Sequence, residues 1–157
     1  LYLVKEGLLD IPVLYLSSYI VRTKADYYRL LQAVRDDGAW VEWVLYMLQA
    51  VTATARSTLL LVEGVRQQMA DMKKRMRHEL PKIYSQELLN NLFRHPYTRI
   101  EFVQHDLGLK ARQTAARYLD TLTQAGFVQK HSEGRNNYYI NLPLVQLFVD
   151  GAQEARR

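Results

Sequence analysis

Five polar and basic side chains fall within one short stretch of the sequence, in types and spacing suited to nucleic-acid contact. They are Lys110, Arg112, Gln113, Thr114 and Arg117. Lysine and arginine neutralise phosphates, whereas arginine and glutamine also form paired hydrogen bonds with base edges. A helix over residues 111–125 would present these side chains on its outer, N-terminal face, as a recognition helix does. The stretch therefore predicts a nucleic-acid contact.

Two further basic side chains, Lys130 and Arg135, fall on a predicted β-hairpin that follows this helix. Residues 127–130 alternate as a strand does, residues 132–136 contain a glycine turn, and residues 137–141 return as a second strand. A hairpin in this position would act as a wing. We therefore expect Lys130 and Arg135 to contact phosphates or the minor groove.

The elements that must position these side chains also have recognisable signals. Ser85 is a predicted N-cap of a first helix, and Thr98 with Glu101 has the capping-box spacing of a second. Gly108 supplies a tight turn before the third helix, and Gly126 follows that helix in the position of a C-terminal cap. The order helix, helix, turn, helix, hairpin predicts a winged helix-turn-helix.

A long helix is predicted to precede this module, over residues 39–78. No proline interrupts the stretch, and apolar or small residues recur at steps of four and three, which is typical of an amphipathic helix. The predicted seam consists of Trp40, Val44, Met47, Val51, Thr54, Thr58, Leu61, Val65, Met69, Met72 and Met76. Gly64 is the predicted bend. A further helix is predicted over residues 24–35, and it would stop at Gly38.

The composition excludes several classes of site. The chain of 157 residues has no cysteine, so it contains neither disulfides nor thiolate metal ligands. Its four histidines have no metal-ligand spacing, which predicts surface histidines and no metal site. No stretch suggests a signal peptide or a membrane span, so we expect a cytoplasmic protein without a membrane partner.

The charge is mildly basic throughout and permits nucleic-acid binding without requiring it. The net charge is +5, and a division at Leu80 gives +2 (11 basic, 9 acidic) before it and +3 (10 basic, 7 acidic) after it. The basic run over residues 73–78 is predicted to stabilise the C-terminal end of the long helix, and phosphate contact is the alternative. The Trp and Tyr residues between 15 and 43 predict an aromatic core, with a pocket as the alternative.

Two segments resemble a known family. The sequence Ile-Pro-Val-Leu-Tyr-Leu-Ser-Ser-Tyr-Ile over residues 11–20, its continuation to residue 35, and Gly-Ala-Trp-Val-Glu-Trp over residues 38–43 resemble the segment after the catalytic loop of Fic-domain proteins. Residues 83–98 and 113–119 are similar to the C-terminal winged helix of many bacterial Fic proteins. The resemblance implies a mainly α fold with three parts: helices of a Fic-type body (1–38), a long connecting helix (39–80) and a winged helix-turn-helix with a small β-hairpin (81–157).

The resemblance also implies an enzymatic parent. Fic proteins use a His-Pro-Phe-x-x-Gly-Asn-Gly-Arg loop to transfer AMP from ATP, with Mg²⁺, to a hydroxyl group of a target protein. That loop is absent from this sequence, because His95-Pro96-Tyr97 lacks the Gly-Asn-Gly-Arg continuation. We therefore expect this chain to be non-catalytic, without cofactor, and to serve as the regulatory or targeting portion of an adenylyltransferase.

The winged helix would recognise DNA or a protein target. A stand-alone winged-helix DNA-binding regulator that dimerises through its long helix is the alternative function, and an enzyme that uses the aromatic cluster is a third. We also expect a homo-oligomer, because the apolar side chains of Leu3, Leu14, Leu16 and Tyr19 would face water in a fragment of a Fic body.

Overall fold

A computed structural model describes residues 2–10, 14–134 and 136–154 of the chain. Helices dominate these residues, which confirms the predicted mainly α class. In chain order the elements are α1 (Tyr2–Lys5), α2 (Ser17–Arg22), α3 (Lys24–Asp37), α4 (Trp40–Glu79), α5 (Gln86–Arg94), β1 (Tyr97–Thr98), α6 (Ile100–Asp106), α7 (Arg112–Gln124), β2 (Gln129–Glu133), β3 (Asn136–Ile140) and α8 (Leu142–Glu154).

The chain divides into two compact units. The first contains the residues up to Val62 together with those from Gly151 onward, and the second is Glu63–Asp150. Helix α4 contributes its first part to one unit and its second part to the other. The predicted division into a Fic-type body, a long connecting helix and a winged helix-turn-helix stays a prediction.

Helix α4 confirms the predicted long helix and corrects its details. It is helical through Gly64, and the bend predicted at this residue stays a prediction. Gly64 packs closely against Leu147 on α8, because a Cβ at this position would lie 2.8 Å from Cδ1 of Leu147. The predicted seam is wrong at its N-terminal end, where Trp40 and Val44 are 62% and 50% exposed.

The first unit contains an aromatic cluster, which confirms the predicted aromatic core in part, since Tyr19, Tyr27 and Trp43 belong to it whereas Tyr28 and Trp40 are exposed. Tyr46 is buried on α4, and its hydroxyl lies 2.7 Å from Oγ1 of Thr23. The Tyr46 ring packs against the rings of Tyr19 and Trp43, with centroids 5.6 and 6.0 Å away. These contacts show that aromatic side chains pack against one another within this unit.

Much of the apolar surface of the first unit remains uncovered. Five side chains on the first part of α4 are between half and two-thirds exposed: Val44, Leu45, Leu48, Leu59 and Leu60. Tyr15, which we predicted to pack inside the body, is 72% exposed. The four side chains predicted to face water, Leu3, Leu14, Leu16 and Tyr19, are half-buried. Residues 11–13, which belong to the predicted Fic-type body, lie outside the described residues.

Among the described residues, one helix is long and apolar enough to cross a membrane by length and composition. It is α4, in which a window of 18 residues has a mean hydropathy of 1.2 and is 11% buried. The same helix buries Met72 and Met76 in a globular core further along. An amphipathic helix with one uncovered face has these properties without a membrane.

The second unit has a continuous hydrophobic core under α5, α6 and α7. Ser85 is the N-cap of α5, as predicted, because its Oγ accepts a 3.1 Å hydrogen bond from the Leu88 backbone N–H. The core consists of Met72, Met76, Leu88, Leu89, Leu92, Val103, Ala115, Leu119, Leu122, Phe127, Val128 and Tyr139. Burial of two methionines shows that the end of α4 belongs to this core.

The predicted capping box at the start of α6 is wrong. Thr98 lies in β1, and its Oγ1 donates a 2.6 Å hydrogen bond to Oδ1 of Asn91, so it does not cap the helix. The N-cap of α6 is Arg99, without a side-chain cap. Thr98 also pairs with Tyr139 in an antiparallel sheet of order β1-β3-β2, so the predicted two-stranded hairpin gains a third, short strand.

The predicted glycine turns are confirmed on both sides of α7. Gly108 and Gly126 have φ values of 61° and 73°, which only glycine adopts without cost. After Gly126, the Phe127 N–H donates a 2.9 Å hydrogen bond to the Leu122 carbonyl and closes the helix end. The two turns bound α7, and the second leads from this helix into the β2–β3 hairpin.

Candidate recognition surface

The outer face of α7, the turn before it and the hairpin form one surface of the second unit, here called the recognition surface. Lys110, Arg112, Gln113 and Arg117 are exposed on it, and Thr114 is half-buried. Lys130 is exposed on β2. Arg135, also predicted to contact nucleic acid, lies outside the described residues.

Arg112 is engaged within the protein. Its Nη1 donates a short hydrogen bond to Oε1 of Glu101 on α6, and the two side chains form an ion pair. This hydrogen bond is the main reason that the pKa of Glu101 lies below its usual value. A carboxylate that already neutralises the guanidinium reduces the gain from a phosphate at the same position.

Lys130 has a similar internal partner. Its Nζ lies 3.5 Å from Oδ1 of Asp120 on α7, so the ion pair joins the hairpin to the helix. The ammonium also stands 5.7 Å from the centre of the Tyr139 ring. Interaction with the Tyr139 hydroxyl, and then with the Asp120 carboxylate, raises the pKa of Lys130 above its ordinary value.

Three predicted contact residues present their side chains to solvent at the N-terminal part of α7. Gln113 and Arg117 are four residues apart on the helix and therefore share a face. Lys110 precedes them, and its carbonyl accepts a 3.4 Å hydrogen bond from Nε2 of Gln104. The N-cap of α7 is Ala111, which gives no side-chain cap to the helix amides.

A groove beside this face was not predicted from the sequence. It has a volume of about 690 Å³ and lies where the end of α4 and the following connector meet α7. The groove is lined by His78, Glu79, Leu80, Pro81, Lys82, Ile83, Arg117, Tyr118 and Thr121. The residues that line it come from two segments about forty positions apart in sequence. Local sequence patterns therefore give no signal for the groove.

The groove has an apolar floor and a charged rim. Leu80, Ile83 and Tyr118 are half-buried and pack against the hydrophobic core. His78, Lys82 and Arg117 are exposed around them. A concave site with apolar walls and a few charged groups is the usual form of a ligand or peptide site.

The carboxylate at the groove, Glu79, is neutralised from its own helix. Arg75 reaches it with Nε 3.1 Å from Oε1 and Nη2 3.4 Å from Oε2. The segment 73–82 carries five Lys or Arg residues against one Glu, a difference of +4. Two of its cations also contact aromatic rings: Arg75 lies 4.5 Å from the Phe127 ring centre and Arg77 lies 5.2 Å from that of Tyr84.

The histidines and acidic residues give no sign of a metal centre. All four histidines are exposed, as predicted. Within residues 2–10, 14–134 and 136–154, no group of three or more His, Asp or Glu side chains is placed to hold a metal ion. That the chain works without a cofactor stays a prediction.

Fold and surface together define a small helical domain with a three-helix core, a hairpin and a groove at the third helix. Residues 68–144 match a family described as "Protein adenylyltransferase SoFic-like, C-terminal domain". The match covers the end of α4, the three helices and the hairpin, which together form most of the second unit. It confirms that the chain contains the C-terminal part of a Fic-family protein.

Proposed function

We propose that this chain is the targeting portion of a Fic-family protein adenylyltransferase and that its C-terminal domain, a winged helix, docks a protein partner. The supporting observation is the groove of about 690 Å³ beside α7. A half-buried tyrosine and two half-buried aliphatic side chains in a concave site offer anchors for side chains of a partner. Contact with a DNA backbone requires cations but no apolar hollow.

The charges on the recognition surface also support a protein partner. Of its four Lys and Arg side chains among the described residues, Lys110, Arg112, Arg117 and Lys130, two are held by the carboxylates of Glu101 and Asp120. Each internal pair lowers the local positive potential. Because DNA affinity depends on the number of phosphates that a protein neutralises, this arrangement weakens duplex binding.

DNA recognition is the second candidate, and one observation favours it. Lys110, Gln113 and Arg117 remain exposed at the start of α7, where a recognition helix contacts bases and phosphates. In this alternative the chain acts as a DNA-binding regulator. Binding of a labelled duplex would then fall steeply with salt and fall further in Arg117→Ala.

The catalytic step is assigned to the parent protein and not to this chain. The sequence contains no His-Pro-Phe-x-x-Gly-Asn-Gly-Arg loop. Incubation of the chain with ATP, Mg²⁺ and candidate target proteins should therefore transfer no AMP. Transfer of labelled AMP by this chain alone would overturn the assignment.

Selection from a peptide library displayed on phage tests the proposed docking function. We expect selected peptides to lose binding to Thr121→Arg, which places a long side chain in the groove, and to retain binding to Arg66→Ala. Arg66 is exposed on α4 in the same unit and does not line the groove. If no selected peptide depends on the groove while duplex DNA binds in a salt-dependent manner, DNA recognition replaces protein docking.

A further inference from the structure

The groove carries information about the chemistry of its partner. We propose that it binds an acidic peptide segment whose apolar side chain, such as leucine or phenylalanine, enters between Ile83 and Tyr118 while adjacent carboxylates meet Lys82 and Arg117. This inference rests on the proposed docking function and adds the class of ligand.

The positive charge at the groove is the first observation that points to carboxylates. Lys82 and Arg117 approach the rim from two different elements, the connector and α7. Glu79, the acidic side chain among the lining residues, is held by Nε and Nη2 of Arg75 and is thereby neutralised. An incoming carboxylate therefore meets cations without a competing free carboxylate.

The end of α4 does not reverse this potential. A helix C-terminus contributes roughly half a negative charge. The segment 73–82 carries a difference of +4 between its basic and acidic residues, which exceeds that contribution. The backbone also uses some of its terminal carbonyls, since Leu80 N–H donates to the Met76 carbonyl at 2.9 Å and Tyr84 N–H to the Leu80 carbonyl at 3.0 Å.

The apolar floor is the second observation, and it distinguishes a peptide from a free anion. Leu80, Ile83 and Tyr118 pack on the core from beneath and are therefore held in place. Thr121 also lines the groove, and its hydroxyl donates a 2.8 Å hydrogen bond to the Arg117 carbonyl of its own helix. The floor thus offers mainly apolar contact, which an inorganic anion does not use and an aliphatic or aromatic side chain does.

Fluorescence anisotropy with three synthetic peptides tests the inference. The probe is a short fluorescein-labelled peptide that places leucine and phenylalanine between glutamates. One control peptide replaces the glutamates with glutamines, and the other replaces leucine and phenylalanine with serines. We expect the acidic apolar peptide to bind more tightly than either control, with an affinity that decreases as salt rises.

Substitutions at the rim locate the binding. Lys82→Glu should weaken the acidic peptide by about fivefold or more, because it replaces an attraction with a repulsion. Lys82 is exposed, so the fold is retained, and circular dichroism checks this. Arg66→Ala is the matched control for removal of an exposed cation in the same unit and should leave the affinity unchanged.

The outcomes separate the inference from the function on which it rests. Equal binding of the glutamine peptide, with sensitivity to Thr121→Arg, overturns the acidic ligand and retains protein docking. Binding of the acidic peptide that ignores both Lys82→Glu and Thr121→Arg overturns the groove as its site. If neither the synthetic nor any selected peptide binds and duplex DNA does, both proposals are wrong.

Discussion

Asn91 on α5 donates a 2.9 Å hydrogen bond from Nδ2 to Oδ2 of Asp106, the last residue of α6. The same buried amide accepts a 2.6 Å hydrogen bond at Oδ1 from Thr98 Oγ1. One side chain thus joins two helices and the short strand between them. This network fixes the angle at which α6, and through the Gly108 turn also α7, leaves α5.

Loss of this amide should destabilise the domain. Asn91→Leu leaves the buried Thr98 hydroxyl without its partner and removes one of the hydrogen bonds to the Asp106 carboxylate, and the free energy of unfolding should fall by about 1–3 kcal/mol. Arg94→Ala is the control, since Arg94 also pairs with Asp106 but is mostly exposed, and it should cost less than about 1 kcal/mol. Urea denaturation followed by circular dichroism measures both. Equal effects would contradict a special role for the amide.

The Asp106 carboxylate should make stability depend on acid pH. Hydrogen bonds from Asn91, with the further contribution of His105, lower the pKa of Asp106 from its ordinary value of 3.8. A carboxyl with a lowered folded-state pKa contributes stability above its unfolded-state value and loses it as pH falls through the folded-state value. Asp106→Asn should therefore be less stable than the native chain near neutrality, and the difference should shrink below pH 3.8. A difference that is constant with pH would contradict this assignment.

Gly64 and Leu147 should show strong energetic coupling. Gly64→Ala gains about 1 kcal/mol of helix propensity. In the native chain this gain is opposed, because the new Cβ would lie 2.8 Å from Cδ1 of Leu147. In a Leu147→Ala background the obstacle is gone, and the same change should stabilise the helix by the full amount. Thermal and urea unfolding of the four variants in this double-mutant cycle measure the coupling. An identical gain in both backgrounds would contradict the close packing.

The uncovered apolar face of α4 should cause the isolated chain to self-associate. Leu48 and Leu59 are 57% and 66% exposed, and neighbouring positions are similarly uncovered. Static light scattering should give an average mass that rises with concentration, and Leu48→Glu should reduce it. Gln49→Glu, which adds the same charge at the next exposed position, should have a smaller effect. A monomer at high concentration would contradict the predicted oligomer.

Local signals predicted much of this fold because their causes lie within a few residues. Ser85 caps α5 through an amide three positions away. Gly126 ends α7 through a turn of similar length. Thr98 has an equally good local signal and yet lies in a strand. There a tertiary partner, Asn91, and pairing with Tyr139 outweigh the capping box.

The recognition surface shows the same limit. Helical spacing placed Gln113 and Arg117 on one exposed face, but it gave no indication that Arg112 would pair with Glu101 on another helix. Lys82 and Arg117 both line the groove. They are distant in sequence, and the packing of the core brings them to one site. A periodic pattern identifies the face of a helix, whereas the neighbour of that face follows from tertiary packing.

Chemical-shift mapping by nuclear magnetic resonance on the isotope-labelled chain tests the central claim most directly. Addition of the acidic apolar peptide should move the amide signals of residues 78–83 and 117–121, which form the groove, and these shifts should disappear in Thr121→Arg. Shifts confined to residues 110–114 and 129–133 on addition of duplex DNA, with none from any peptide, would contradict protein docking and establish DNA recognition instead.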